Sequence, residues 1–421
     1  MNIHWIIPTR VGPGSGGTRT IAQVAEELGK SNSVTISVAN EAYEPEEVQG
    51  VLRDSYGMQN AIVVAKEDIP SSLDVVVATA WNTVSEALNT PARARAYFVQ
   101  DFEPWFMPMG YDQIQARLTY SQDLRMVTIG RWLPVKLQQE ANGKAEPFDF
   151  CVDSSIYHRL DSTRERAICV VLQPEKPRRC HELLLQALRI VKHHDPSIHI
   201  YSYGSGVPLD DVETADAIDT QLGLLPVEEL ASLYNRCGVG VCCSSSNPSR
   251  IPFEMMACGL PVVDLHMENN LYDLPSDATS LAYPDPASMA EAILGLFADD
   301  SKRQRMSEAG FAFMAERTIE REKTMAAELI EKIGSGTFAA QSTQEKKYLV
   351  EGVRASSELY REAALVAKLH EQAVRERLEA AQLEEARQAE AQRQEAATMA
   401  ARQENAAFKL NRRIKRFLNS R

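Results

Sequence analysis

Two arginines, a glutamate and an acidic–aromatic turn are the residues of this chain whose types and spacing can do chemistry. The run Asn247-Pro-Ser-Arg250-Ile-Pro-Phe-Glu254-Met-Met-Ala-Cys-Gly259-Leu-Pro-Val-Val263 reads as a loop, a short helix opening on Glu254, and a buried strand. An apolar strand, Gly238 to Cys242, precedes it, which places the carboxylate at the carboxyl edge of a parallel sheet. Open α/β sheets bind ligands at that edge, beside helix N-termini that favour anions. A plainer reading stays open, in which Glu254 only complements the helix dipole, worth about 0.3–1 kcal/mol.

Upstream, Val171-Leu-Gln-Pro174-Glu-Lys176-Pro-Arg178-Arg179-Cys180 sets two guanidinium groups between a strand and a helix start. Guanidinium forks bind phosphate oxygens bidentately and the helix terminus adds its dipole, so this turn suits a diphosphate. Which of Arg178 and Arg179 makes the contact stays open, as does a simple solvated basic turn. In Tyr97-Phe-Val-Gln100-Asp101-Phe-Glu103-Pro-Trp105-Phe106, charged and aromatic residues crowd directly after a strand. Asp101 is placed to position or deprotonate a hydroxyl, and Trp105 or Phe106 to stack on a sugar face. The alternative is a structural loop in which Glu103 caps a helix. Finally, Pro8-Thr-Arg-Val-Gly12-Pro-Gly14-Ser-Gly16-Gly17-Thr18-Arg19 links a strand to a helix. Glycines there let backbone N–H groups approach an anion, although a tight turn alone also explains them. The spacing is not Gly-x-Gly-x-x-Gly, which disfavours a nicotinamide cofactor.

These loops need a scaffold, and the alternation of short β-rich runs with helical patterns supplies one. Strands are expected at Ile3–Ile7, Val34–Val38, Ala61–Ala65, Val75–Thr79, Ala96–Val99 and Met126–Ile129, with helices such as Thr20–Leu28 between them. The pattern restarts after Cys151 with Ala167–Leu172, helix Cys180–His193, Ile198–Tyr203, Val239–Cys242 and Val262–Leu265. Alternating strands and helices predict doubly wound parallel sheets. The expected units are residues 1–155 and 156–335, hinged near Cys151–Asp161. A third segment, 344–421, is rich in Ala, Glu, Gln and Arg and favours helix, with a patchy apolar stripe rather than a sustained heptad. That stripe allows loose self-association through 344–408.

The Asn247–Val263 run resembles the Pro-x-x-Glu-Ala-x-Ala-x-Gly-x-Pro-Val segment of retaining glycosyltransferases of family 4, which use nucleotide-sugar donors. The Gln100-Asp101-Phe-Glu103-Pro run is similar to one in the rhamnan-type branch. The arginine turn resembles the family's phosphate-binding segment. Ile218-Asp-Thr-Gln221-Leu-Gly223 resembles the loop that lies against the nucleobase. The resemblance, covering about residues 1–330, implies a GT-B fold: two Rossmann-like domains facing a cleft, here with a long helical extension. It implies donor contacts from Gly16, Gly17, Arg178, Arg179, Gly223, Arg250 and Glu254, with Glu254 on the nucleotide ribose. Asp101, Glu103 and Trp105 fall on the acceptor side, and Glu254 and Asp101 are the catalytic candidates. One departure is visible. The family pairs glutamates eight residues apart, and counting back from Glu254 (254 − 8 = 246) reaches Ser246. No Asp-x-Asp metal motif occurs, and neither a metal nor a cofactor is expected. The expected activity is transfer of rhamnose or a related hexose, with dTDP-rhamnose favoured, to a cell-surface glycan such as O-antigen or polyrhamnan. Two alternatives are a non-catalytic glycan-assembly component acting through the C-terminal helix and a sugar-nucleotide epimerase.

The 421 residues are 44% hydrophobic, enough for two cores, and carry a net charge of −13, which disfavours nucleic acid. Seven cysteines without Cys-x-x-Cys spacing suit a reducing cytoplasm. The first apolar run is too short for a signal peptide, so a cytoplasmic location is expected, peripheral to the membrane at most.

The tail from Phe408 inverts the acidic balance. Lys409, Arg412, Arg413, Lys415, Arg416 and Arg421 accompany Leu410, Ile414, Phe417 and Leu418 at helical spacing, with no acidic residue. Such an end reads as an anionic-membrane anchor beside a lipid-linked acceptor. Each basic residue near the leaflet contributes about 1 kcal/mol. Full-length protein should co-sediment with anionic but not neutral liposomes, and a version ending at Ala407 with neither. Equal behaviour of the two proteins would make the tail a partner-binding helix instead.

Overall fold

The structure is a computed structural model. It describes the chain except residues 13, 210–213, 341–346, 349–350 and 419–421, and describes the backbone alone for 386 and 391–418. The basic tail and Leu349 of the apolar stripe therefore lie outside the described side chains.

Two parallel sheets face one another. The first runs in the order β3-β2-β1-β4-β5-β6-β7. Its strands are β1 (Asn2–Ile7), β2 (Ser33–Val38), β3 (Ile62–Val63), β4 (Val75–Ala78), β5 (Ala94–Val99), β6 (Arg125–Ile129) and β7 (Ala145–Phe148). The second, β10-β9-β8-β11-β12-β13, is built from β8 (Ala167–Val171), β9 (His199–Tyr203), β10 (Thr220–Gln221), β11 (Val239–Val241), β12 (Val262–Leu265) and β13 (Thr279–Ala282). Strand order reverses between β1 and β4, and again between β8 and β11. At such switch points loops diverge to opposite faces and open a crevice. The central strands are continuous apolar runs, Val-Val-Val-Ala in β4 and Ala-Ile-Cys-Val-Val in β8, as burial on both faces requires. Helices such as His181–His194 then turn Leu184, Leu185, Leu188 and Val191 onto the sheet.

Three strands carry too weak a pattern to be expected. β7 reads Ala-Glu-Pro-Phe, β10 has two residues, and β13 reads Thr-Ser-Leu-Ala. The Pro147 in β7 is tolerated because β7 is the edge of its sheet.

The domains are joined more than once. After β7 the chain crosses at Cys151, and the helix Ile319–Ser335 returns to pack on the first domain through Ala326, Ile330 and Ile333. At this junction Arg250 and Glu322 form a buried ion pair. Arg250 Nη1 donates to Glu322 Oε2 (2.7 Å) and to the Cys151 carbonyl (2.9 Å), and its Nη2 donates to Thr20 Oγ1 (2.8 Å) in the first domain. Glu322 also accepts from Cys151 N (2.9 Å).

A second tie is Asp273, buried in the second domain. It accepts from Arg131 N (3.0 Å) and Trp132 N (3.3 Å), the first backbone donors of the helix Trp132–Ala141 in the first domain. Gly130 makes the approach possible. It has φ +81°, and a Cβ there would stand 3.1 Å from the carboxylate and 2.5 Å from the Phe150 ring.

The expected helix over 344–408 begins later, at Ser357, and its backbone continues to Leu418. Before it, Val353 bridges to Ala282 at the edge of the second sheet. Gly352 packs where a Cβ would meet His266 and Tyr283 at 2.8 Å. Sheet-edge hydrogen bonds thus override helix propensity here: Val353 N donates to Leu281 O and Tyr283 N to Val353 O. Among the described residues the first turns of the long helix are seated, with Leu359 and Val366 buried and His370 Nδ1 2.7 Å from Asp216 Oδ2. Leu365, Leu369, Leu378 and Leu383 are exposed.

Burial pushes the Asp273 carboxyl up to about 7 against the opposing pull of the two backbone donors. A carboxyl raised on folding contributes stability at pH below about 4, and that contribution is lost as pH rises through 7. A pKa unit is worth about 1.4 kcal/mol. Asp273→Asn keeps an acceptor oxygen without the charge. The variant should gain on wild type as urea unfolding is repeated from pH 4 to pH 8; a constant difference between the two curves would show that Asp273 does not titrate in that window.

Candidate active site in the interdomain cleft

Four loops at the carboxyl ends of β1, β5, β8 and β11 meet where the two sheets face. From the first domain comes the glycine loop. Ser15 caps the helix Gly16–Gly29, its side chain accepting from Thr18 N (3.3 Å). Gly17 lies against Gln100: a Cβ there would stand 3.3 Å from the Gln100 amide nitrogen. Two residues on, the charge of Arg19 lowers the carboxyl of Glu254 in the second domain.

Glu254 sits in the helix Ile251–Ala257 and is buried. Burial raises its carboxyl, opposed by the charges of Arg19 and Arg250 and by a hydrogen bond with Tyr157. Tyr157 stacks on Tyr234, whose hydroxyl meets that of Tyr203 at 2.8 Å. Gly223 and Gln221 line an adjoining cavity of about 410 Å³ together with Tyr203, Ser205 and Leu222. The backbone of Gly223, at φ +65°, accepts from Gly204 N (2.8 Å).

The arginine turn, Pro177–Arg179, is a single 3₁₀ turn ending on Cys180 in the left-handed conformation. Both arginines are half-buried. Arg178 lies over the Phe106 ring of the first domain at 4.5 Å, so it spans the cleft. Nε of Arg178 and both Nε and Nη1 of Arg179 are buried without a hydrogen-bond partner. Burial and the neighbouring Arg179 both work against the Arg178 charge. Buried guanidinium donors without acceptors are costly unless an anion meets them.

Asp101 is brought to the same place. Ser246 Oγ donates to its Oδ2 (2.9 Å), and Asn247 N (2.9 Å) and Phe102 N (2.8 Å) donate to its Oδ1. Burial raises this carboxyl too, against those donors and the charge of Arg178. Glu103 turns inward: it accepts from Trp81 N (2.8 Å) and the Tyr97 hydroxyl (3.1 Å), and burial carries it up to about 7. Trp105 is 46% exposed on the cleft-side turn, packed on Trp132, with Lys136 4.6 Å over its ring. Arg250 has both terminal nitrogens bonded to protein groups at the domain junction.

The sequence-predicted residues thus fall into one cleft in three groups. Gly17 lies against Gln100, and Arg19 of the same helix acts on the charge of Glu254; Asp101 and Arg178 are joined through the Ser244–Asn247 loop, with Phe106 under Arg178; Gly223 lines the outer cavity. Glu103 and Arg250 stand behind the wall. Sequence reasoning missed Asn247, Asp264 and Asn269. Asp264, raised by burial to about 6, accepts from Ser244 N (3.1 Å), and Asn269 donates to Ser244 O (2.8 Å). Asn247 spans the domains, donating to the carbonyls of Gln100 and Ile129 at 3.0 Å each. Among the described residues no group of three or more His, Cys, Asp or Glu side chains is arranged to hold a metal ion.

Comparison with known proteins bears on the fold. Residues 166–294 match the family model of the WsaF C-terminal domain. Over 241 residues the chain is 30% identical to the O-antigen biosynthesis protein RfbC of Myxococcus xanthus. That stretch is 55% of this chain, and the chain spans only 19% of that relative. Among solved structures, sucrose-phosphate synthase of Thermosynechococcus elongatus superposes with a TM-score of 0.61 at 13% identity, over 80% of this chain and all of that one. HepE of Anabaena, bound to UDP and glucose, gives 0.61 at 12% identity, over 80% and 99%. TarM gives 0.65 at 8% identity, over 79% and 98%. These likenesses define the fold as GT-B, with a helical C-terminal extension added. Among the described residues no helix is long and apolar enough to cross a membrane.

The Arg250–Glu322 pair supports the cleft from behind. Removing one partner of a buried pair leaves an uncompensated charge and costs about 3–5 kcal/mol. Urea unfolding of Arg250→Ala should show a loss of that size. The double replacement Arg250→Met, Glu322→Leu should lose far less, and equal losses would mean the pair is not the source.

Proposed function

We propose that the chain is a glycosyltransferase that moves a sugar from a nucleotide-diphosphate donor to a glycan acceptor. The observation that carries this reading is the set of unpartnered, buried guanidinium nitrogens of Arg178 and Arg179 in the cleft of a GT-B fold. A donor diphosphate supplies the acceptors those nitrogens need. Glu254 takes the ribose from the helix start, Gly223 meets the base, and Gly16 and Gly17 approach the phosphates from the opposite wall. Asp101, Glu103 and Trp105 form or back the acceptor side. The relatives support the substrate class: HepE was solved with UDP and glucose, and RfbC is named for O-antigen biosynthesis. A deoxyhexose such as rhamnose from dTDP-rhamnose is the proposed donor sugar, retention the proposed outcome, and no metal is invoked.

Catalysis then rests on placement. The leaving diphosphate gains negative charge, which preorganised guanidinium groups in a water-poor cleft stabilise without reorganising. Glu254 fixes the nucleotide end so that the sugar is presented to the acceptor wall.

Replacing both Arg178 and Arg179 with alanine should abolish binding of dTDP and UDP measured by calorimetry while leaving the thermal transition near wild type. Turnover with a panel of dTDP-, UDP- and GDP-sugars, with and without a glycan acceptor, tests the reaction itself. Tight nucleotide binding by the double variant would move the phosphate site elsewhere. Wild-type protein that turns over no sugar nucleotide would favour the non-catalytic alternative.

A further inference from the structure

We infer that Asp101 is a positioning residue that couples closure of the two domains to the shape of the arginine turn. The inference rests on the reading that Arg178 and Arg179 take a nucleotide diphosphate. Asp101 belongs to the first domain, yet two of its three donors come from the second: Ser246 Oγ and Asn247 N, both at 2.9 Å. Those two residues continue directly into Ser245. Ser245 N (3.0 Å) and Ser245 Oγ (3.2 Å) both donate to the carbonyl of Arg178. A continuous path of short hydrogen bonds therefore runs from the carboxylate of one domain to the backbone that presents the guanidinium groups of the other.

Among the described residues no other charged group of the first domain bonds this loop. Asn247 Nδ2 adds two bonds to the carbonyls of Gln100 and Ile129, which fix the same contact from its other side. Within the second domain Asp264 and Asn269 hold the loop at Ser244. Asp101 thus closes the one side of the loop that the second domain cannot reach. A carboxylate with both oxygens occupied by protein donors is poorly placed to take a proton from a substrate hydroxyl. It is well placed to hold what it touches. Domain opening would break its bonds to Ser246 and Asn247, and with them the first domain's share of the restraint on Ser245 and Arg178.

Asp101→Asn keeps the geometry: its amide oxygen can accept from Asn247 N and its amide nitrogen can donate to the Ser246 oxygen. Asp101→Ala removes both bonds. The probes are UDP and dTDP, titrated separately by calorimetry into the full chain. Asp101→Ala should bind at least ten-fold more weakly than wild type, and Asp101→Asn should recover to within about three-fold. Ser246→Ala, which loses one of the two bonds, should fall between them and serves if Asp101→Ala does not fold. Wild-type affinity in Asp101→Ala, or in Ser246→Ala when the first variant is unfolded, would overturn the inference. So would an Asp101→Asn variant as weak as Asp101→Ala, because the charge rather than the bonds would then matter. Wild-type protein that binds neither nucleotide would sink the diphosphate reading, and this inference with it.

Discussion

The loop from Ser244 to Asn247 is the constraint on which the cleft depends. It is short, polar and almost wholly buried, so each of its backbone groups has to find a partner inside the protein. Asp264 and Asn269 supply partners from its own domain, and Asp101, Gln100 and Ile129 supply them from the other. A buried carboxylate without donors is costly, and a buried loop without acceptors is too. Each therefore satisfies the other, but only while the domains are together. Asp273 repeats the arrangement in reverse, carrying a carboxylate from the second domain to the start of a helix in the first.

This exchange of carboxylates explains why the site lies where it does. GT-B domains place their ligand loops at strand ends, and facing two such domains concentrates polar groups at the seam. The Arg250–Glu322 pair and the returning helix Ile319–Ser335 keep the seam in register from behind. In front, the guanidinium groups of the arginine turn remain without protein partners. Among the described residues Trp5 Nε1 and Arg236 Nε are also buried without a hydrogen-bond partner, but the arginine turn gathers three such nitrogens in one place, where a diphosphate is proposed to bind.

Much of this was legible in the sequence because it is local. Strands β4 and β8 are apolar runs bounded by turns, and the arginine turn and Glu254 each sit in a recognisable strand–loop–helix unit. What stayed illegible depends on distant partners. Asp273 bonds to Arg131 across 142 positions, and nothing in Leu271-Tyr-Asp273-Leu marks it as a helix cap for another domain. Ser246 stands where the family's second glutamate is expected, and neither it nor Asn247 is a residue type that announces acid–base chemistry. Arg250 looked free to meet phosphate; its acid partner, 72 residues further on, could not be read from spacing. The start of the long helix was misplaced for a similar reason, because a sheet edge captures Val353 before helix propensity can act.

That helix has a mechanical consequence. Its 62 residues, at about 1.5 Å each, give a rod roughly 93 Å long, clamped to the second domain near its start through Leu359, Val366 and the His370–Asp216 contact. A rod held at one end behaves as a cantilever, so small rotations at the clamp become large displacements at the tip. A tilt of about 5° at the clamp carries the far end about 6 Å sideways, given the roughly 72 Å of helix beyond His370.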